Sequence, residues 1–230
     1  MSYETDMRYL LSEIESLKRR LQFQERLGTG LGAGWNGVSG WSYASATTIT
    51  VPSGAASIYS VGDQIRYKQG GAYKYGSIIA VADTLLTVTG GSDYTVANAA
   101  ITNAAFSKGG GVGFPQTFNF TPVGSSYGGM TFTVDNIEKA KFRINAGIAT
   151  FWISINGTTS GTASDSLAIA RPFLLQEIYP IGFAQISDGG WGIKGVMITE
   201  SNIIKCRKED LTNYSLGATK WIRTTFSVPI

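Results

Sequence analysis

Histidine is missing from this 230-residue chain, and cysteine occurs once, as Cys206. Without histidine, Ser/His/Asp triads, Cys/His pairs, most zinc sites and the commonest general base are excluded together. A lone cysteine allows no intrachain disulfide and no multi-Cys metal centre, so packing and assembly must hold the fold. Charge is scarce as well, at 15% of residues against about 25% in ordinary globular proteins. No motif pairs the Asp and Glu residues into an acid/base set, and the sequence therefore predicts a protein that is not an enzyme and carries no cofactor or metal. A net charge of +3, scattered along the chain, does not make nucleic acid an expected partner. No stretch approaches the roughly 20 apolar residues of a membrane span, so no membrane insertion is expected. The charged N-terminus has no apolar core of a signal peptide, and a protein of this kind working outside the cell would leave it by lysis or inside a particle.

What is present begins with "MSYETDMRYLLSEIESLKRRLQFQERL", Met1 to Leu27. Met7, Leu10, Ile14, Leu17 and Leu21 follow the alternating three- and four-residue spacing of a heptad seam, with Met7, Ile14 and Leu21 at a and Leu10 and Leu17 at d. In a parallel assembly Glu13 at g faces a neighbour's Lys18 at e, and Arg20 faces a neighbour's Glu25, so opposite charges meet across the seam. Ile at a with Leu at d leans to two strands. Leu11 at e widens the stripe beyond a two-stranded seam, and "RLQFQE" resembles the Arg-apolar-x-x-apolar-Glu pattern of short trimeric coiled coils, with Gln24 departing from it. The reading taken is a trimeric coiled-coil helix; the alternative is one amphipathic helix docked on its own domain.

After the helix, "GTGLGAGWNGVSG", Gly28 to Gly40, ends helical structure with six glycines in thirteen positions and reads as a hinge. It follows a helix where a dinucleotide fingerprint must follow a strand, so it is not a phosphate loop. From Trp41 the apolar period changes to two, through "TTITV", "QIRYK", "YKYGSIIAV" and "LLTVTGG", which predicts a small β-barrel or sandwich. "GGGVG", Gly109 to Gly113, marks a boundary. Phe114 to Ile230 carries about eight further strand patterns, the count of a jelly roll or another two-sheet sandwich. Asn156 and Gly157 form its strongest hairpin signal. The expected organisation is mainly β, with a stalk and hinge over 1–34, a small β module over 35–113 and a head over 114–230.

"GIATFWISINGTTSGTASDSLAIARPF", Gly147 to Phe173, resembles a segment of phage tail and fibre heads, in which an apolar strand runs into a Gly/Ser/Thr loop and the next strand ends in Pro and an aromatic. The module from Trp41 to Lys108 likewise resembles a β unit found upstream of such heads. The resemblance implies a C1q/TNF-like trimeric jelly-roll head, a homotrimer, a place in the virion among other tail or baseplate proteins, and contact with the host surface. A function follows as an expectation: a non-enzymatic receptor-binding protein for a cell-surface carbohydrate. Glycan sites set an exposed aromatic face beside uncharged hydrogen-bonding groups, and Trp35, Trp41, Tyr127, Tyr179 and Trp191 lie in or near turns that could expose one. The alternative is a purely structural spike, collar or decoration protein. A polysaccharide-degrading tailspike fits least, since no solenoid repeat is visible. Light scattering on the purified chain should give about three times the 24.6 kDa chain mass. A monomer at micromolar concentration contradicts both the seam and the head resemblance.

Overall fold

The computed structural model describes Ile14, Lys18 and residues 34–173, 175, 182–189, 192–200 and 202–230. The chain is mainly β. Of the expected coiled-coil seam, Met7, Leu10, Leu17 and Leu21 lie outside the described residues; Ile14 and Lys18 are helical, and Ile14 is 47% exposed.

The first half is a seven-stranded antiparallel sheet. Its strands are β1 (Asn36–Gly37), β2 (Ser42–Ser45), β3 (Thr48–Thr50), β4 (Gln64–Gln69), β5 (Ala72–Ala82), β6 (Leu85–Thr89) and β7 (Thr102–Ser107), with one helical turn, α1 (Ala55–Ile58), between β3 and β4. The spatial order is β1-β7-β4-β5-β6-β3-β2. Strict alternation sets the faces: Ile65 and Tyr67 of β4 point into a core with Trp41, Ile49, Ile78 and Leu86, while Gln64, Arg66 and Lys68 point the other way. Gly70 and Gly71, at φ 59° and 83°, supply the two left-handed positions of the tight β4–β5 turn. The segment read as a hinge differs from expectation from Gly34 onward. Trp35 is buried with its indole N–H on the Val112 carbonyl, and β1 pairs with β7, so this stretch is tied into the folded structure.

The second half comprises β8 (Phe118–Asn119), β9 (Gly124–Tyr127), β10 (Met130–Asn145), β11 (Ile148–Gly161), β12 (Ser166–Ala170), β13 (Gly182–Asp188), β14 (Ile193–Glu200), β15 (Ile203–Lys208) and β16 (Gly217–Pro229). Strands β9 to β16 close into a ring in the order β9-β10-β11-β16-β13-β14-β15-β12, and β8 adds to the edge of β10. Strands β9, β10 and β11 run as successive hairpins with β12 returning beside β9; β13, β14 and β15 do the same with β16 returning beside β13. The second half is thus a closed barrel of two Greek keys, and closure removes the exposed edges of β9 to β16. The ladders do not confirm the nested order of a jelly roll, in which the first strand pairs with the last: β9 lies between β10 and β12, and β16 between β11 and β13. Strand patterns in sequence carry a count but no neighbour order.

Asn156 and Gly157 mark no turn. They continue β11, with Asn156 opposite Asn136 and Trp221, and the β10–β11 turn is made instead by Ala146 and Gly147, both at positive φ. Gly157 is required for close approach rather than for bending. A Cβ there would stand 2.1 Å from the Thr133 carbonyl oxygen and 2.5 Å from the Phe132 ring. Gly157→Ala should therefore cost about 1–3 kcal/mol, the range of overpacked cores. A urea melt that leaves the midpoint unchanged would show that the strands have room there.

Candidate ligand-binding site

Of the aromatics singled out in sequence, Trp35 and Trp41 are not available to a ligand. Trp35 is 3% exposed, donates Nε1–H to the Val112 carbonyl at 2.9 Å and packs against Tyr75 and Phe114. Trp41 is 5% exposed and donates Nε1–H to the Tyr59 hydroxyl at 3.1 Å. Both sit in turn-rich segments, yet the apolar ring area goes to the core and the indole N–H finds an internal acceptor. Tyr127 is half-buried at the end of β9, with the Lys205 ammonium 4.0 Å over its ring centroid and Glu200 paired to the same ammonium. Tyr179 and Trp191 lie outside the described residues.

An exposed ring at a cleft does occur, at a residue outside those five. Tyr73, 39% exposed, stands just after the Gly70–Gly71 turn at a cleft of about 610 Å³, which is lined also by Val38, Ser39, Arg66, Asn103 and Ala104. Lys68 and Tyr73 are direct cross-strand partners. The Lys68 ammonium lies 4.8 Å from the Tyr73 ring centroid and the Arg66 guanidinium 5.4 Å, with the same guanidinium 4.8 Å over Trp35. A bulge shapes the opposite wall. Arg66 pairs with Ala105 but Lys68 pairs with Thr102, so Asn103 and Ala104 together face Tyr67. Asn103 takes φ 49° there, a conformation uncommon outside glycine but several-fold enriched in Asn, and its side chain is exposed at the cleft. The signal available in sequence was a Tyr two residues after a Gly-Gly turn with a Lys opposite, legible only once the register is known.

A second cleft, of about 480 Å³, lies between sheet and barrel and is lined by Gln64, Gly111, Phe114, Gln116, Arg143 and Asn145 among others. Its ring, Phe114, is already engaged edge-on by Tyr75 and Phe118.

The densest buried charge is in the barrel. Asp188 receives the Lys208 ammonium at 2.5 Å and the Lys220 ammonium at 3.1 Å, and Lys220 is 0% exposed. Ser215 donates its backbone N–H and its hydroxyl to Asp188 and accepts from Lys220 Nζ at 3.0 Å. A serine beside a lysine suggests a nucleophile and base, but an ammonium donating to a carboxylate offers no lone pair to take the serine proton. Lys208 also donates to the Asn213 carbonyl, so the cluster clamps the segment between β15 and β16. Burial alone would raise the Asp188 carboxyl, but the hydrogen bonds from Lys208, Ser215 and Lys220 outweigh it and hold it down at about 2. Cys206 is inert by the same logic reversed: burial pushes its thiol up to about 12.

No family model, no curated protein and no solved structure matches the chain.

Because the Asp188 carboxyl is depressed from 3.8 to about 2, its stabilisation is complete above about pH 4 and is lost as pH falls from there through 2. Asp188→Asn leaves two buried ammoniums without their counter-charge and should cost about 3–5 kcal/mol at pH 7. The gap between wild type and variant in urea melts should narrow towards pH 2; a gap that stays constant with pH would contradict the clamp.

Proposed function

We propose that the chain is a non-enzymatic, trimeric phage tail or fibre protein of the virion that binds a host cell-surface glycan at the Tyr73 cleft of its middle module. The observation that carries this reading is the cleft itself. An exposed aromatic ring stands beside an exposed hydroxyl, Ser39, and an exposed amide, Asn103, which is the set of groups a sugar needs: a flat face for its C–H surface and neutral partners for its hydroxyls. Trimeric assembly is supported by the heptad seam and by Ile14, helical and exposed at an a position of that seam. Three copies of a millimolar site on one surface gain avidity without any new contact. The head, a closed barrel with few exposed edges, is suited to persist outside the cell without disulfides. Other tail or baseplate proteins are the expected neighbours in the particle.

Fluorescently labelled full-length chain should stain host cells, and Tyr73→Ala, which removes an exposed ring and leaves the core untouched, should weaken staining roughly five-fold or more. Staining unaffected by Tyr73→Ala would remove the cleft from the account. No staining of any host would favour the purely structural spike, collar or decoration protein, and release of reducing sugar from host polysaccharide would overturn the non-enzymatic reading.

A further inference from the structure

We infer that the cleft between sheet and barrel is a second binding site, one that takes a phosphate group, received by Arg143 from the barrel side and by Gln64 and a glycine turn from the sheet side. This goes beyond the glycan reading and does not rest on it. Buried and exposed positions alternate strictly over residues 140–145 of β10, so Arg143 and Asn145 project outward from the barrel on one face, and both line the cleft. Among the described residues Arg143 has neither an acidic partner nor a hydrogen-bond acceptor, so its planar fork of donors is unspent. The described residues lining the cleft include no Asp or Glu, and no carboxylate in the wall competes for the guanidinium.

The sheet side supplies donors as well. The Gly111 N–H donates to Gln64 Oε1 at 3.1 Å, which fixes that side-chain oxygen and leaves Nε2 as the donor end of an amide at the cleft. The Phe114 N–H closes on the Gly111 carbonyl at 3.1 Å, with Gly113 at φ 81° in the left-handed position of a type II turn. The Val112 carbonyl accepts from Trp35, and C=O and N–H of one trans peptide point opposite ways, so the Gly113 N–H is turned away from the indole. Backbone N–H groups presented by such turns are anion partners. Donors therefore come from two sides. A carboxylate offers two oxygens in one plane and satisfies one side, whereas a phosphate offers three in a tetrahedral array and satisfies both. At about 480 Å³ the cleft is larger than the anion alone, and the exposed amides of Gln116 and Asn145 suit hydroxyls. Phe114, the one ring among the described lining residues, is already engaged by Tyr75 and Phe118. The ligand class is thus a small phosphate ester of a polyol.

The test is isothermal titration calorimetry on the full-length chain with three probes: glycerol phosphate, inorganic phosphate, and glycerate, which carries a carboxylate in place of the phosphate. Glycerol phosphate should bind about ten-fold more tightly than glycerate at low salt, and its affinity should fall as salt rises. Arg143→Gln, at an exposed position, should weaken glycerol phosphate about ten-fold. Gln64→Glu keeps the acceptor for the Gly111 N–H but replaces the donor end with a negative charge, so binding should be lost from a folded chain. If Gln64→Glu does not fold, Arg143→Gln carries the test. Lys141→Gln removes an exposed cation of the same strand that does not line the cleft, and it should leave affinity within about two-fold, as should Tyr73→Ala at the other cleft. Inorganic phosphate separates the sources: weaker binding than the ester means that the polyol is read too, and equal binding assigns free phosphate. Equal binding of glycerol phosphate and glycerate would overturn the phosphate assignment, and so would binding of none of the three. A loss with Lys141→Gln as large as with Arg143→Gln would overturn the site, because the charge of the whole face would then be what is read.

Discussion

Ring contacts run unbroken from the sheet into the barrel, and the placement of everything else depends on them. Trp35 meets Phe114 at 6.2 Å, Phe114 meets Phe118 at 5.5 Å, Phe118 meets Phe142 at 5.6 Å, Phe142 meets Phe151 at 6.0 Å and Phe151 meets Phe226 at 5.1 Å. Such pairs add to the large apolar area that each ring buries. The backbone closes the same junction. A Cβ on Gly91 would stand 1.9 Å from the Asn119 carbonyl oxygen, and Asp93 accepts from both the backbone and the amide side chain of Asn119. The first ring of this series is also the one on which Arg66 stacks, so the packing that joins sheet to barrel orients a charged group at the cleft.

Much of the fold could be read from the chain. The period of two from Trp41 onward, the Gly70–Gly71 turn and the alternation in β4 follow directly from local sequence. The misreadings concern residues with more than one physical use. Gly157 after Asn156 has the form of a hairpin turn, but the glycine serves a contact with Thr133 and Phe132 that only the fold creates. Trp35 and Trp41 lie among glycines and serines, yet a tryptophan near a turn is core as readily as surface, and an internal acceptor for the indole N–H decides which. The ring order of β9 to β16 is a property of pairings far apart in sequence.

The candidate site was less legible for a related reason. Tyr73, Lys68 and Asn103 meet through cross-strand register and one bulge, neither of which leaves a local signature. The sparse charges show the same ambiguity. Lys208 and Lys220 look like surface residues by type, but both are buried against Asp188, whereas Arg66, an ordinary member of an alternating strand, lines the cleft and Lys68 lies over the Tyr73 ring. A chain with so few charges uses them in small groups, as a clamp in the barrel and as a pair beside an aromatic face in the sheet.

A surface saccharide is proposed to meet this protein at the Tyr73 cleft. Hydrogen–deuterium exchange of the full-length chain, with and without polysaccharide extracted from the host surface, tests it most directly. Added protection is expected in the segments that form the cleft, around residues 37–39, 72–74 and 102–104, and none in the barrel. Protection confined to the barrel, or no change anywhere while the polysaccharide is bound, would contradict it.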